Sequence, residues 1–234
     1  MGRAVLVDMW GTIIEPARPR RDFRVARVRG LLLASGVEPT SEVLERAVAE
    51  YERHWDALWV ERTTRLVEIP AEEDIRAFLR TIGVDSEVTE AHLRAYSAPY
   101  LEFTRIRRGV ERALRELSGR YGLAVVSNVT YGPMVVEKLR MHGLLDYFDE
   151  VVTSYDVGLR KPHPEIFARA LDSLGADPSE AVMIGDELVD DVIGARSAGV
   201  RAILLGPSGS DHGAADAVIR EFGEVPRAVQ SVLG

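Results

Sequence analysis

The residues of this 234-residue chain best suited to chemistry stand where short apolar runs end. Asp8 closes the run from Ala4 and is followed by Trp10, Gly11 and Thr12; Ser127 and Asn128 close the run that begins at Gly122. Asp186 and Glu187 follow Gly185, with Asp190 and Asp191 beyond, and Lys161 lies in the loop Arg160-Lys161-Pro162. Three carboxylates, Asp8, Asp186 and Asp191, meeting at one point would repel one another. A hard divalent cation resolves that repulsion, and Mg2+ takes one or two carboxylates while keeping waters and ligand oxygens. Lys161 would set a positive charge against Asp8 and a bound anion, worth at most roughly 4 kcal/mol at about 4 Å and an effective dielectric of 20. The hydroxyls of Thr12 and Ser127, with nearby backbone N–H groups, can donate to anion oxygens. The bland alternative is an acidic helix start at 186–191, favoured by capping and the helix dipole, with Ser127 and Thr12 as loop caps.

Such residues act together only if strands bring their ends together. After Gly109 helical and strand-like patterns alternate: helix 110–118, strand 122–127, helix 132–141, strand 150–154, helix 164–174, strand 181–185, helix 190–198, strand 201–205. This alternation predicts an α/β fold, a Rossmann-like, mainly parallel sheet with helices on both faces. In such sheets ligands bind beyond the carboxyl ends of the strands. Between residues 20 and 105 apolar residues recur at helical spacing through 25–33, 43–59, 75–79 and 91–101. The expected organisation is therefore a core of residues 1–15 and 106–234, interrupted by an all-α insertion at 16–105.

Composition narrows the function. A net charge of −8 argues against a nucleic-acid footprint. No cysteine is present, so disulfides and thiolate zinc sites are excluded. The N-terminus lacks the pattern of a signal peptide and no apolar run approaches the ~18 residues of a membrane span, which points to a cytoplasmic protein with no membrane partner. Oligomeric state is not legible. Of 29 basic residues only Lys138 and Lys161 are lysines. A lysine kept in an arginine-rich chain marks a place for a compact ammonium; Lys161 fits that description, whereas Lys138 falls in a helical pattern that explains it.

Taken together, the ordered motifs Asp8 to Thr12, Ser127-Asn128, Lys161-Pro162 and Gly185-Asp186 through Asp191 resemble the haloacid dehalogenase superfamily over the whole chain, with a helical cap inserted after the first motif. The resemblance implies Asp8 as nucleophile, Ser127 and Lys161 as anion holders, and Mg2+ held by Asp8, Asp186, Asp191 and the main-chain carbonyl of Trp10. It implies further that Thr12, Asn128 and Trp10 border a small anionic, phosphorylated substrate, with Asn128 and Glu187 as supporting groups, and that the cap closes over the sheet and selects the substrate.

One position departs from the family. Trp10 stands where family phosphatases carry a second Asp that protonates the leaving oxygen and activates water, and indole only donates a hydrogen bond. Losing such acid–base help costs on the order of 10²- to 10⁴-fold for a poor leaving group. Three activities accommodate the loss: a Mg-dependent, phosphate-directed hydrolase favouring good leaving groups, a 2-haloacid dehalogenase, or a catalytically weak phospho-ligand-binding protein. The first is carried forward, because the intact Gly185, Asp186 and Asp191 suit a metal that dehalogenases do not use. Glu187 or Asp190 are the candidates for a substitute base. His54, Trp55 and Trp59 form a stripe at helical spacing read as core packing, Arg18, Arg20 and Arg21 form a solvated charge run, and His212 receives no role.

Overall fold

The computed structural model describes residues 2–207, 209 and 213–234, so His212 lies outside the described residues. The chain forms two compact units, Met1–Glu15 with Ile106–Gly234, and Pro16–Arg105.

In the first unit β1 (Ala4–Val7) leads into a short β2 (Ile14–Pro16). The second unit follows, with α1 (Arg20–Ala34), α2 (Ser41–Arg65), α3 (Ala71–Thr81) and α4 (Glu90–Glu102). The chain returns through β3 (Thr104–Ile106), which pairs with β2. Thereafter come α5 (Val110–Ser118), β4 (Gly122–Ser127), α6 (Pro133–Met141), β5 (Glu150–Thr153), α7 (Ser154–Val157) and α8 (Pro164–Leu174). After β6 (Ala181–Gly185), a π-helical turn over Leu188–Ile193 runs into α9 (Gly194–Ser197), and β7 (Arg201–Leu205), β8 (Ala217–Ile219) and α10 (Val225–Leu233) complete the chain.

The six-stranded sheet has the order β5-β4-β1-β6-β7-β8, all parallel. Its central strands are apolar up to Ser127 at the tip of β4, because both faces are covered. Alternate residues Leu6, Ala124, Val126 and Met183 pack with Ile166 and Phe167 of α8. Their neighbours Val5, Val7, Leu123, Val125 and Ile184, which point the other way along a strand, are buried as well. Helix α5 presents Val110, Ala113, Leu114 and Leu117, one face at helical spacing. Truncating Phe167 to alanine in such a core costs about 3–5 kcal/mol. The chain runs outward from β1 through β4 to β5, then returns to the other side of β1 for β6. This reversal makes the tip of β1 a switch point, where open parallel sheets form their ligand crevice.

The helical unit has its own core around Tyr51, Phe78 and Tyr96, which are fully buried. Asp74 lies at its centre, accepting from Tyr96 Oη at 2.9 Å and meeting His54 Nε2 at 2.8 Å and Arg62 Nη2 at 3.4 Å. Arg62 also ion-pairs with Glu68 at 3.3 Å. Burial alone would raise the Asp74 pKa, but the His54 hydrogen bond and the Arg62 charge outweigh it and hold the carboxyl below its usual range.

Several local expectations need correction. The helix expected at 190–198 starts at Leu188 as a wider π turn, and the strand expected at 150–154 ends at Thr153, whose side chain accepts from Asp156 N to start α7. Lys138 is 1% exposed on α6, and burial pushes its pKa down, so helical patterning alone does not account for it. Trp59 is 47% exposed, outside the packed stripe expected for it, whereas His54 is spent on Asp74. Among the described residues no helix is long and apolar enough to cross a membrane.

Candidate active site

Strand register delivers the charged groups. Val7 pairs with Val125 on one side and Ile184 on the other, so the residues just past each strand emerge side by side. Asp8 stays attached to the sheet through its N–H, which donates to Ile184 O at 2.9 Å. Two glycines let backbones approach the carboxylates. A Cβ at Gly11, where φ is +85°, would stand 2.1 Å from Asp186 Oδ2, and one at Gly185 would stand 2.1 Å from Asp191 Cγ. No other residue type fits either place without moving a carboxylate.

The result is a compact set of carboxylates. Asp8, Asp186 and Asp191 each offer an oxygen within 4.8 Å of the others. Lys161 Nζ bridges two of them, donating to Asp8 Oδ1 and Asp191 Oδ1 at 2.6 Å each and to Val126 O at 2.8 Å. All three ammonium donors are thereby used. Asp191 Oδ2 accepts from Glu187 N at 3.0 Å, and Thr12 Oγ1 donates to Asp186 Oδ1 at 3.0 Å.

Three carboxylates crowd around one ammonium, and the protonation of Asp8 and Asp186 reflects it. Burial pushes Asp8 up to about 8, with Lys161 opposing and Asp191 and Asp186 adding to the rise. Burial likewise lifts Asp186 to about 6, reinforced by Asp191 and opposed by the Thr12 hydrogen bond. Burial would lower Lys161, but Asp191 and Asp8 overcome it and hold the ammonium above its ordinary range. The set is short of positive charge, and its all-oxygen donors match the preference of a hard divalent cation.

The other expected site residues fall around this centre in different ways. Ser127 is buried at the end of β4, one residue from the Val126 carbonyl that receives Lys161. Asn128 is engaged with the protein: its Nδ2 donates to Lys161 O at 3.0 Å and Asp190 Oδ2 at 3.1 Å, and its Oδ1 accepts from Lys161 N at 2.8 Å. Asn128 therefore sets the loop that carries Lys161. Trp10 is half-buried, and its backbone bridges to Ile14. Asp190 is partly buried and raised by desolvation, while the Glu187 side chain is exposed. Arg18, Arg20 and Arg21 are exposed, as a solvated run would be.

One neighbour has no counterpart in the motif reading. Arg107 donates through Nη2 to Gly11 O and lies 3.6 Å from Glu15. It lines a cleft of about 940 Å3, together with Asp186, Glu187, Leu188, residues 204–207 and Arg220. Its sequence signal is faint, since Arg107 is one of two adjacent arginines between β3 and α5.

Comparison with known proteins gives this geometry its context. A glyceraldehyde 3-phosphate phosphatase of Methanopyrus kandleri is 31% identical over 214 residues, 88% of this chain and 84% of that one. Three further curated relatives are matched over less than half of their own length. Among solved structures, a HAD phosphatase from Thermococcus onnurineus is 27% identical, with TM-score 0.65 and 96% of both chains covered. A 2-haloacid dehalogenase from Pseudomonas syringae pv. Tomato DC3000 is 25% identical, with TM-score 0.74 and 99% of both covered. The model of the haloacid dehalogenase-like hydrolases matches residues 3–199, a span that carries every motif of the carboxylate site, and the chain belongs to that family.

Proposed function

We propose that the protein is a Mg2+-dependent phosphohydrolase in which Asp8 is the nucleophile, acting on a small phosphorylated substrate with a good leaving group. The observation that carries the reading is the three-carboxylate set, two members of which are bridged by Lys161. A halide-releasing enzyme needs one carboxylate and no cation, whereas this site assembles two more. The phosphatase activity named for the Methanopyrus kandleri relative supports the same choice.

Mg2+ would be held by Asp8, Asp186 and Asp191, with the Trp10 carbonyl as a further oxygen, and would supply the positive charge that keeps Asp8 ionised and draws in a phosphate. An Asp8 oxygen attacks phosphorus as the bond to the leaving oxygen breaks, and water then cleaves the aspartyl phosphate to release phosphate and restore the carboxylate. Ser127 holds a phosphoryl oxygen, and Lys161, whose donors go to Asp8, Asp191 and the Val126 carbonyl, contributes its charge to the site. Because Trp10 cannot deliver a proton, acyl and aryl phosphates are the preferred substrates.

A second reading, 2-haloacid dehalogenase, is favoured by Trp10 itself, since halide leaves without a proton, and by the Pseudomonas syringae structure. The deciding experiment measures phosphate release from acetyl phosphate and p-nitrophenyl phosphate with Mg2+ and with EDTA, alongside chloride release from 2-chloropropionate. Phosphate release that EDTA abolishes is expected. Chloride release that survives EDTA replaces the proposal with dehalogenation, and silence in both assays leaves a binding role.

A further inference from the structure

We infer that Arg107 is a positioning residue for the cation site, acting through the Gly11 carbonyl; the inference rests on the cation site proposed above. The turn after β1 is held by a closed set of bonds. Met9 O accepts from Ile13 N at 3.0 Å and Ile14 N at 2.9 Å, and Gly11 N donates to Ile14 O at 2.7 Å. These bonds stay within residues 9–14. Arg107 adds a tie from this turn to the chain that returns after β3. Its N–H donates to Ile13 O at 2.9 Å, its Nη2 donates to Gly11 O, and Glu15 at 3.6 Å steadies the guanidinium.

The anchored residue is the one that touches a carboxylate of the site. Gly11 lies so close to Asp186 that a methyl group would overlap it, and the next residue, Thr12, donates to Asp186 Oδ1 at 3.0 Å. Moving Gly11 therefore moves the contact that fixes Asp186 relative to Asp8. A second observation separates this role from plain packing. Arg107 Nε is a buried donor with no hydrogen-bond partner. Buried donors in folded proteins are nearly always paired, so an orphan marks a place where another constraint prevails. Here the guanidinium is oriented for Gly11 and Glu15, and Nε is left over. Arg107 also faces the cleft beside Asp186, so the anchor sits at the edge of the site.

The test reads cation binding without turnover. Mg2+ is titrated calorimetrically into wild type, Arg107→Met, Arg107→Lys and Arg108→Ala, the last an exposed neighbour. Methionine keeps the apolar stem and removes every donor, and lysine restores one donor toward the carbonyl. Arg107→Met should weaken Mg2+ binding about fivefold to tenfold, Arg107→Lys should recover most of that loss, and Arg108→Ala should change nothing. Folding is checked by circular dichroism. Should Arg107→Met fail to fold, Glu15→Gln loosens the guanidinium with little change of shape and should weaken binding about twofold to threefold. Binding within error of wild type in a folded Arg107→Met or Glu15→Gln overturns the inference alone. No Mg2+ uptake by wild type overturns it together with the proposed cation site, whereas absent phosphate release with normal uptake overturns only the proposed reaction.

Discussion

Two buried clusters of charge in this chain are built on opposite principles. In the helical unit Asp74 is one carboxylate surrounded by an arginine, a histidine and a tyrosine hydroxyl, and its pKa is depressed. At the sheet, three carboxylates share the single ammonium of Lys161, and Asp8 is raised to about 8. In the first cluster the neighbouring cation and hydrogen bonds outweigh the burial of the carboxylate. The second lacks positive charge, which a protein retains at a binding or catalytic centre and not for stability. Burial is common to both, so the difference lies in the count of donors and charges.

The sharpest test of the contrast is Asp8→Asn. Turnover should fall by about 10⁴-fold or more, as when a nucleophile is removed from a catalytic unit, while the metal-free protein becomes more stable at pH 8 because one of three competing carboxylates is gone. Phosphate release near the wild-type rate sinks the nucleophile, and reduced metal-free stability sinks the account of crowded charge. Asp74→Ala should do the reverse to stability, costing about 3–5 kcal/mol because Arg62 is left buried with a broken network. Denaturant unfolding followed by tryptophan fluorescence reports it, since two of the three tryptophans, Trp55 and Trp59, lie in the helical unit. A loss under about 1 kcal/mol would mean the network contributes little.

The clusters should also respond to pH with opposite signs. Asp8 and Asp186 have folded pKa values raised to about 8 and about 6, so between pH 4 and 8 the folded state binds protons that the unfolded chain does not. In EDTA the stability of the sheet unit should therefore fall by a few kcal/mol, in order of magnitude, as pH rises through that window, and Mg2+ should flatten the slope. Asp74 is depressed, so its contribution is whole above the ordinary carboxylate pKa and is lost as pH falls below it. Urea melts of the metal-free protein at pH 5 and pH 8 measure the first effect, and equal midpoints would contradict it.

Two smaller effects sharpen the comparison further. Trp10→Asp adds a carboxylate where the family keeps its acid and should raise hydrolysis of an unactivated alkyl phosphate about 10- to 100-fold, with little change for acetyl phosphate. No gain would mean that residue 10 does not face the leaving group. Thr12→Val removes the donor to Asp186 and should weaken Mg2+ binding about threefold, close to the ~0.6 kcal/mol of a modest hydrogen bond. Unchanged affinity by calorimetry would show that Asp186 is oriented without it.

The parallel sheet is largely legible in the sequence because its strands are short, uniformly apolar and separated by helical spacing. Strands 122–127, 181–185 and 201–205 and helices 110–118 and 164–174 match residue for residue. The polar groups of the candidate site are legible for the same reason, since Asp8, Ser127 and Asp186 each mark a strand end. The π turn at Leu188–Ile193 is not, because its apolar residues also suit an ordinary helix. β8 and α10 are missed because a three-residue strand gives almost no periodicity and the last helix has little patterned sequence before it. Arg107 escapes notice for another reason. It reaches a backbone carbonyl 96 positions away, and a carbonyl carries no residue identity to match.

The pairing of β2 with β3 bears on how such a chain can change over evolutionary time. On the sheet side Arg107 N is bonded to Ile13 O at 2.9 Å, and on the helical side Ala17 N is bonded to Phe103 O at 2.7 Å. The inserted segment is tied off at both edges of its doorway, so its length makes little difference to the closure entropy borne by the rest of the chain. A lineage can lengthen, shorten or replace the helical cassette while the strands that carry Asp8 and Asp186 keep their register.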